Sequence, residues 1–171
     1  MSPGHKALEE RPLLALPISA ATFAPFGDFI PQTEDGVPFG AADAKLDLSQ
    51  GTPRFYVMRL DARPMTFTRI TRHLRVTQCL AAVGGKPWLI AVAPPLEPDN
   101  AKAEPALESI RAFVVPGDAA IMLHKGTWHA GPFFEGEELG FFNLELADTN
   151  VTDHQNSYLD KRFGVALKLT V

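Results

Sequence analysis

Between residues 54 and 146 the chain is cut into seven apolar runs, none longer than eight residues: 54–61, 65–72, 77–83, 88–93, 107–114, 119–124 and 139–146. They are rich in Val, Ile, Phe and Thr, and Gly84-Gly85, Pro94-Pro95 and Pro116-Gly117 interrupt them. Runs this short offer little to a helix, whereas β-branched and aromatic residues suit a pleated, half-buried surface. Short strands with turn signals between them pair antiparallel, so the predicted fold class is all-β, an antiparallel sandwich or barrel. Ser19 is a suitable N-cap for a short N-terminal helix that Pro25 and Gly27 stop after about two turns. Residues 1–15 read as a disordered or extended N-terminus, with the first dozen frayed, and residues 16–171 as a single domain. Residues 31–53, 94–105 and 148–157 read as loops, and 165–171 as a last strand.

Composition narrows the function classes. The net charge of −4, from 16 Lys and Arg against 20 Asp and Glu, provides no basic stripe, so nucleic acid is not an expected partner. No apolar run reaches the roughly 18 residues of a membrane span, and His5, Lys6, Glu9, Glu10 and Arg11 interrupt any signal-peptide core. The single cysteine, Cys79, cannot form an internal disulfide. A cytoplasmic location, off the membrane, is the expectation.

Two stretches carry chemistry. His124-Lys125-Gly126-Thr127-Trp128-His129 places two imidazoles around one turn at the end of an apolar strand. Histidine is the common neutral metal ligand and the side chain that most readily moves protons near pH 7. The other stretch is Thr71-Arg72-His73 through Gln78, followed by Gly84-Gly85. The spacing of His73, Gln78 and Gly85 resembles the first motif of the cupin superfamily, and His124 to His129 resembles the second. That resemblance implies a cupin-like double-stranded β-helix with His73, Gln78 and His129 around a divalent metal such as nickel, manganese or zinc. The sequence departs from it where Thr71 replaces a histidine and Gln78 a glutamate; a neutral amide lowers the affinity expected for a metal.

The whole chain resembles the ureidoglycolate lyase family more specifically. The similarity lies in Leu16-Pro17-Ile18-Ser19 through Phe23, Phe26-Gly27-Asp28-Phe29-Ile30, Arg72-His73 with Gln78, Ile110-Arg111-Ala112-Phe113, His124 with Trp128-His129, and 141–145. It implies a cytoplasmic, dimeric enzyme of allantoin breakdown that splits ureidoglycolate into glyoxylate and urea. Leu74, Leu123, Ala130 and the pair Glu145-Leu146 stand where that family carries Pro, Tyr, His and Asp-Arg.

Ureidoglycolate is a carbinolamide, with hydroxyl and ureido nitrogen on one carbon. Its cleavage needs a base for the hydroxyl proton and an acid for the departing nitrogen. His129 and His124 are the expected pair, with Glu145 a third candidate on the same strand face as Asn143, which would contact substrate. A metal would lower the hydroxyl pKa. Arg72 and Lys125, with Arg75 in reserve, are the expected carboxylate partners, and Trp128 a pocket wall or dimer contact. An isomerase, a metal oxygenase or a binding module on the same fold is the alternative. The apolar strands around Phe55-Tyr56-Val57 and Phe133-Phe134 suggest covered edges and a homodimer.

Overall fold

The computed structural model describes residues 7–171 and consists of two curled β-sheets with three short helices. In chain order the strands are β1 (Glu9–Pro17), β2 (Gly27–Ile30), β3 (Pro53–Asp61), β4 (Thr66–Phe67), β5 (Arg69–Arg72), β6 (Gln78–Ala82), β7 (Gly85–Ala93), β8 (Arg111–Gly117), β9 (Ala120–Leu123), β10 (Trp128–Phe133), β11 (Glu138–Leu146), β12 (Gln155–Tyr158) and β13 (Val165–Thr170). The helices are α1 (Ala20–Phe23), α2 (Thr149–Thr152) and α3 (Leu159–Phe163). One sheet has the order β12-β5-β10-β7-β8-β1-β13-β4 and the other β2-β9-β6-β11-β3. The all-β, cupin-like expectation holds.

β7 shows why the architecture has two cores. Its run Trp88-Leu89-Ile90-Ala91-Val92-Ala93 is buried throughout, because alternate residues serve opposite faces. Trp88, Ile90 and Val92 join Phe113 and Val115 of β8 against Leu80, Ile121 and Phe141 of the smaller sheet, forming the core between the sheets. Leu89, Ala91 and Ala93 join Ala15, Phe67, Trp128, Phe133, Val165 and Leu167 in a second core drawn from the larger sheet, with Leu159 of α3.

Of the N-terminal stretch expected to be disordered or extended, residues 1–6 lie outside the described residues and the rest is extended from Glu9. From Glu9 onward it is not frayed: β1 runs parallel to β13 from Glu9 opposite Val165 to Leu14 opposite Thr170, then parallel to β8 through Ala15, Leu16 and Pro17. Pairing between chain ends leaves no local turn signal, which is why its sequence reads as a polar arm. α1 is a single turn rather than two, closed by a capping box in which Ser19 Oγ accepts the Thr22 N–H and Thr22 Oγ1 accepts the Ser19 N–H. Its Phe23, with Phe26, packs on Phe113 and seals the inter-sheet core at one end. The run 65–72 divides into β4 and β5, 107–109 is a 3-10 turn ahead of β8, and β12 forms within the stretch read as loop. Among the described residues no helix is long and apolar enough to cross a membrane.

Candidate active site

Four strands aim polar side chains into one cavity of about 640 Å³. His129 lies opposite Val92 of β7 on one side and Thr71 of β5 on the other. Because Val92 belongs to the inter-sheet core, His129 faces inward, while its neighbour Trp128 faces the second core. Thr71 and His73 share the inward side of β5 and its extension. On the smaller sheet, Gln78 with Leu80 on β6 and Asn143 with Glu145 on β11 also line the cavity, Asn143 standing opposite Leu80. Met58 and Leu60 of β3 supply apolar wall.

Three imidazoles cluster there: the His73 ring is 5.1 Å from that of His129 and 5.6 Å from that of His154. His73 Nδ1 lies 2.6 Å from the Asp153 carbonyl, so the hydrogen sits on Nδ1 and Nε2 keeps its lone pair. The Asp153 carboxylate in turn accepts the Leu74 and Arg75 N–H groups, each at 2.8 Å, pinning the segment that carries His73. Burial is the leading cause that lowers all three imidazoles. His129 is pushed down to about 3, with the neighbouring His73 adding to the effect. His73 and His154 shift the same way. At neutral pH the cluster is uncharged.

The facing wall is hydrogen-bonded but neutral in its donors. Glu145 accepts from Tyr56 Oη at 3.1 Å, Gln78 Nε2 at 3.4 Å and Asn150 Nδ2 at 3.3 Å. Gln78 Nε2 also donates to Asn143 Oδ1 at 3.1 Å, and Asn143 Nδ2 to Tyr56 Oη at 3.2 Å. Burial raises the Glu145 pKa against the pull of these partners, favouring its protonated form. Gln78 Oε1 and His129 Nδ1 are buried without a hydrogen-bond partner. Buried polar atoms are ordinarily satisfied, so these two mark a polar deficit within the cavity wall.

Several expected site residues lie elsewhere. Arg72 is wholly buried on the opposite face of β5, where it donates to Gln155 Oε1 and the Asn100 carbonyl and stacks 4.8 Å from the Trp128 ring. Strand alternation forbids both Arg72 and His73 from facing the cavity, and the imidazole has it. Trp128 is accordingly a core residue rather than a pocket wall. Lys125 pairs with Asp47, Arg75 with Asp148 and Asp153, and the His124 ring lies 3.3 Å from the Ala24 carbonyl; none of them lines the cavity. His124 shares with His73, Gln78 and His129 only a small space beside the cavity that has no room for a substrate. His154, Asn150, Tyr56 and Asp153 were missed. Three of them lie in the polar stretch 148–157, whose composition signals a loop and nothing more.

The expected metal ligands His73, Gln78 and His129 all line the cavity, and none of them carries negative charge. Among the described residues no three His, Cys, Asp or Glu side chains form a metal-holding group. His73 donates Nδ1–H to a carbonyl and keeps Nε2 free for a ligand, Gln78 is a neutral amide, and Glu145 already accepts from three donors. A divalent ion there would find neutral imidazoles and little negative charge.

Fold and cavity together define a cupin-like barrel with a polar, imidazole-lined small-molecule site. The chain belongs to the ureidoglycolate lyase family, whose profile matches residues 10–166. A ureidoglycolate lyase of Burkholderia mallei (strain NCTC 10229) is 31% identical over 141 residues, covering 75% of this chain and 79% of its own. One of Pseudomonas fluorescens (strain Pf-5) is 32% identical over 138 residues, covering 70% and 75%. One of Azotobacter vinelandii (strain DJ) is 29% identical over 126 residues, covering 66% and 72%.

If Arg72 is a core residue, Arg72→Met destabilises the fold by about 2–4 kcal/mol through lost stacking and orphaned acceptors. Urea denaturation measures that loss. KM should change less than about twofold, whereas a substrate-binding arginine would raise it far more.

Proposed function

We propose that this protein cleaves ureidoglycolate into glyoxylate and urea by acid–base chemistry on its own side chains. The supporting observation is the convergence, in a chain of this family, of neutral imidazoles and a buried, pKa-raised carboxyl group on one cavity. His129 takes the carbinol hydroxyl proton as the C–O bond becomes a carbonyl and the C–N bond breaks. The C–N electron pair goes to nitrogen, which Glu145 protonates, releasing urea. Gln78 and Asn143, with one amide oxygen still unpartnered, hold the ureido group, and His73 is held by the Asp153 carbonyl with its lone pair toward the reacting centre.

Two variants and a pH profile test this. His129→Ala lowers kcat at least about 10²-fold, the low end for losing a positioned base. The base is neutral above about pH 3, so His129 sets an acidic limb far below neutrality. The acid works only while protonated, so kcat falls as pH rises through a Glu145 pKa lying above the usual 4.5. Glu145→Gln, which cannot titrate, removes that alkaline limb. Undiminished turnover in His129→Ala, or an unchanged profile in Glu145→Gln, contradicts these assignments.

A cytoplasmic homodimer belongs to the same proposal. β3 is an edge strand whose outer side exposes Phe55 and Val57, with Phe142 of β11 stacked on Phe55 at 5.8 Å. A second copy laid along this edge would pair its free backbone groups and cover those side chains. Phe133 and Phe134, the other expected contacts, are buried within the subunit. Sedimentation at micromolar concentration should give twice the 18.6 kDa chain mass, and Phe55→Glu should return it to one chain.

A further inference from the structure

The substrate's carboxylate still lacks a cation, since Arg72 and Lys125 face away from the cavity. Two other arginines reach it: Arg63 and Arg69 both line the same space as the imidazoles and Glu145. Arg69 begins β5, and strand alternation places Arg69 and Thr71 on one side, about 6.6–6.8 Å apart along the strand. Thr71 lies opposite His129, so Arg69 stands one such step from the proposed base. Its charge is felt by His154 and by Arg63; Arg63 is exposed as a residue, and its charged form is disfavoured first by the partial burial of its guanidinium and then by Arg69.

Neither guanidinium forms an ion pair with an acidic side chain among the described residues. Arg63 has the Phe133 ring at 6.0 Å as its neighbour, and the third cation of the cavity, Lys161, lies over Tyr158. One further carboxylate, Asp160, lines the cavity with its Oδ1 buried and unpartnered, and it forms an ion pair with neither guanidinium among the described residues; an anion held between or beside the two arginines offsets their mutual repulsion. The opposite end presents the side-chain amides of Gln78 and Asn143 beside the Glu145 carboxyl, a set of donors and acceptors that suits a ureido group.

We infer, resting on the ureidoglycolate reading above, that Arg69 with Arg63 beside it forms the carboxylate subsite, so that substrate enters ureido end first and keeps its carboxylate at the mouth. Arg69 is then the specificity residue for α-substituted carboxylates over their neutral amides and esters.

Steady-state kinetics with ureidoglycolate and calorimetry with glyoxylate, on wild type and on Arg69→Gln, Arg69→Lys and Arg63→Gln, test it. Arg69→Gln should raise KM and weaken glyoxylate binding by about 10- to 100-fold, the loss of a charge-assisted pair. kcat should fall much less, Arg69→Lys should recover part of the affinity, and the melting temperature should not move because Arg69 is exposed. Arg63→Gln should give a smaller effect in the same direction. If wild type turns over but neither Gln variant shifts KM or glyoxylate affinity beyond twofold, the subsite is wrong and the lyase reading stands. If wild type releases no urea, the lyase reading falls, and glyoxylate calorimetry decides alone: binding that Arg69→Gln abolishes supports the anion subsite, and equal or absent binding overturns it.

Discussion

The two-residue period of paired strands is the constraint on which this site depends. At β5 and β10 it assigns His73 and His129 to the cavity and Arg72 and Trp128 to the second core, and the ladder of His129 with Thr71 and Val92 holds that phase. A slip by one residue would bury both imidazoles in an apolar core and turn an indole and a guanidinium into the cavity. The buried Arg72–Trp128 stack on the far side acts against such a slip, because each partner has a place only in the native phase. Scaffold and chemistry are thus two faces of the same strands.

Burial then sets the protonation states. Imidazoles removed from water lose their charge, and carboxyl groups removed from water keep their proton. The same low-polarity cavity therefore keeps His129 unprotonated and favours the protonated form of Glu145, moving the two pKa values in opposite directions. The arrangement has a stability cost: Gln78 Oε1 and His129 Nδ1 remain buried and unpartnered. Unsatisfied groups of this kind cost about 1–3 kcal/mol each when desolvated, and a substrate able to pair with them recovers that energy on binding.

The sequence disclosed the barrel because its strands alternate with local turn signals that need no long-range information. It hid β1, whose partners lie at the other end of the chain, and β12, whose Gln155-Asn156-Ser157 has no apolar pattern. His73, Gln78, His129, Asn143 and Glu145 could be read from motif spacing and strand alternation, and the cavity brings them together. Arg72 turns from the cavity because strand alternation gives one of the pair Arg72-His73 an outward place, and the sequence does not say which. Arg69, two residues from Thr71 on the inward side, had no motif to mark it. His124 misled because a histidine beside a turn looks the same in sequence whether the turn opens onto the cavity or away from it.

The central claim is that the fold keeps the cavity imidazoles uncharged at the pH where the protein works. Ring ¹⁵N and ¹³C NMR signals of His129, followed from pH 8 to pH 5 in the folded protein, test it most directly. A ring that stays neutral throughout that range is the expected result, and a titration of His129 centred near its ordinary 6.5 would contradict the account.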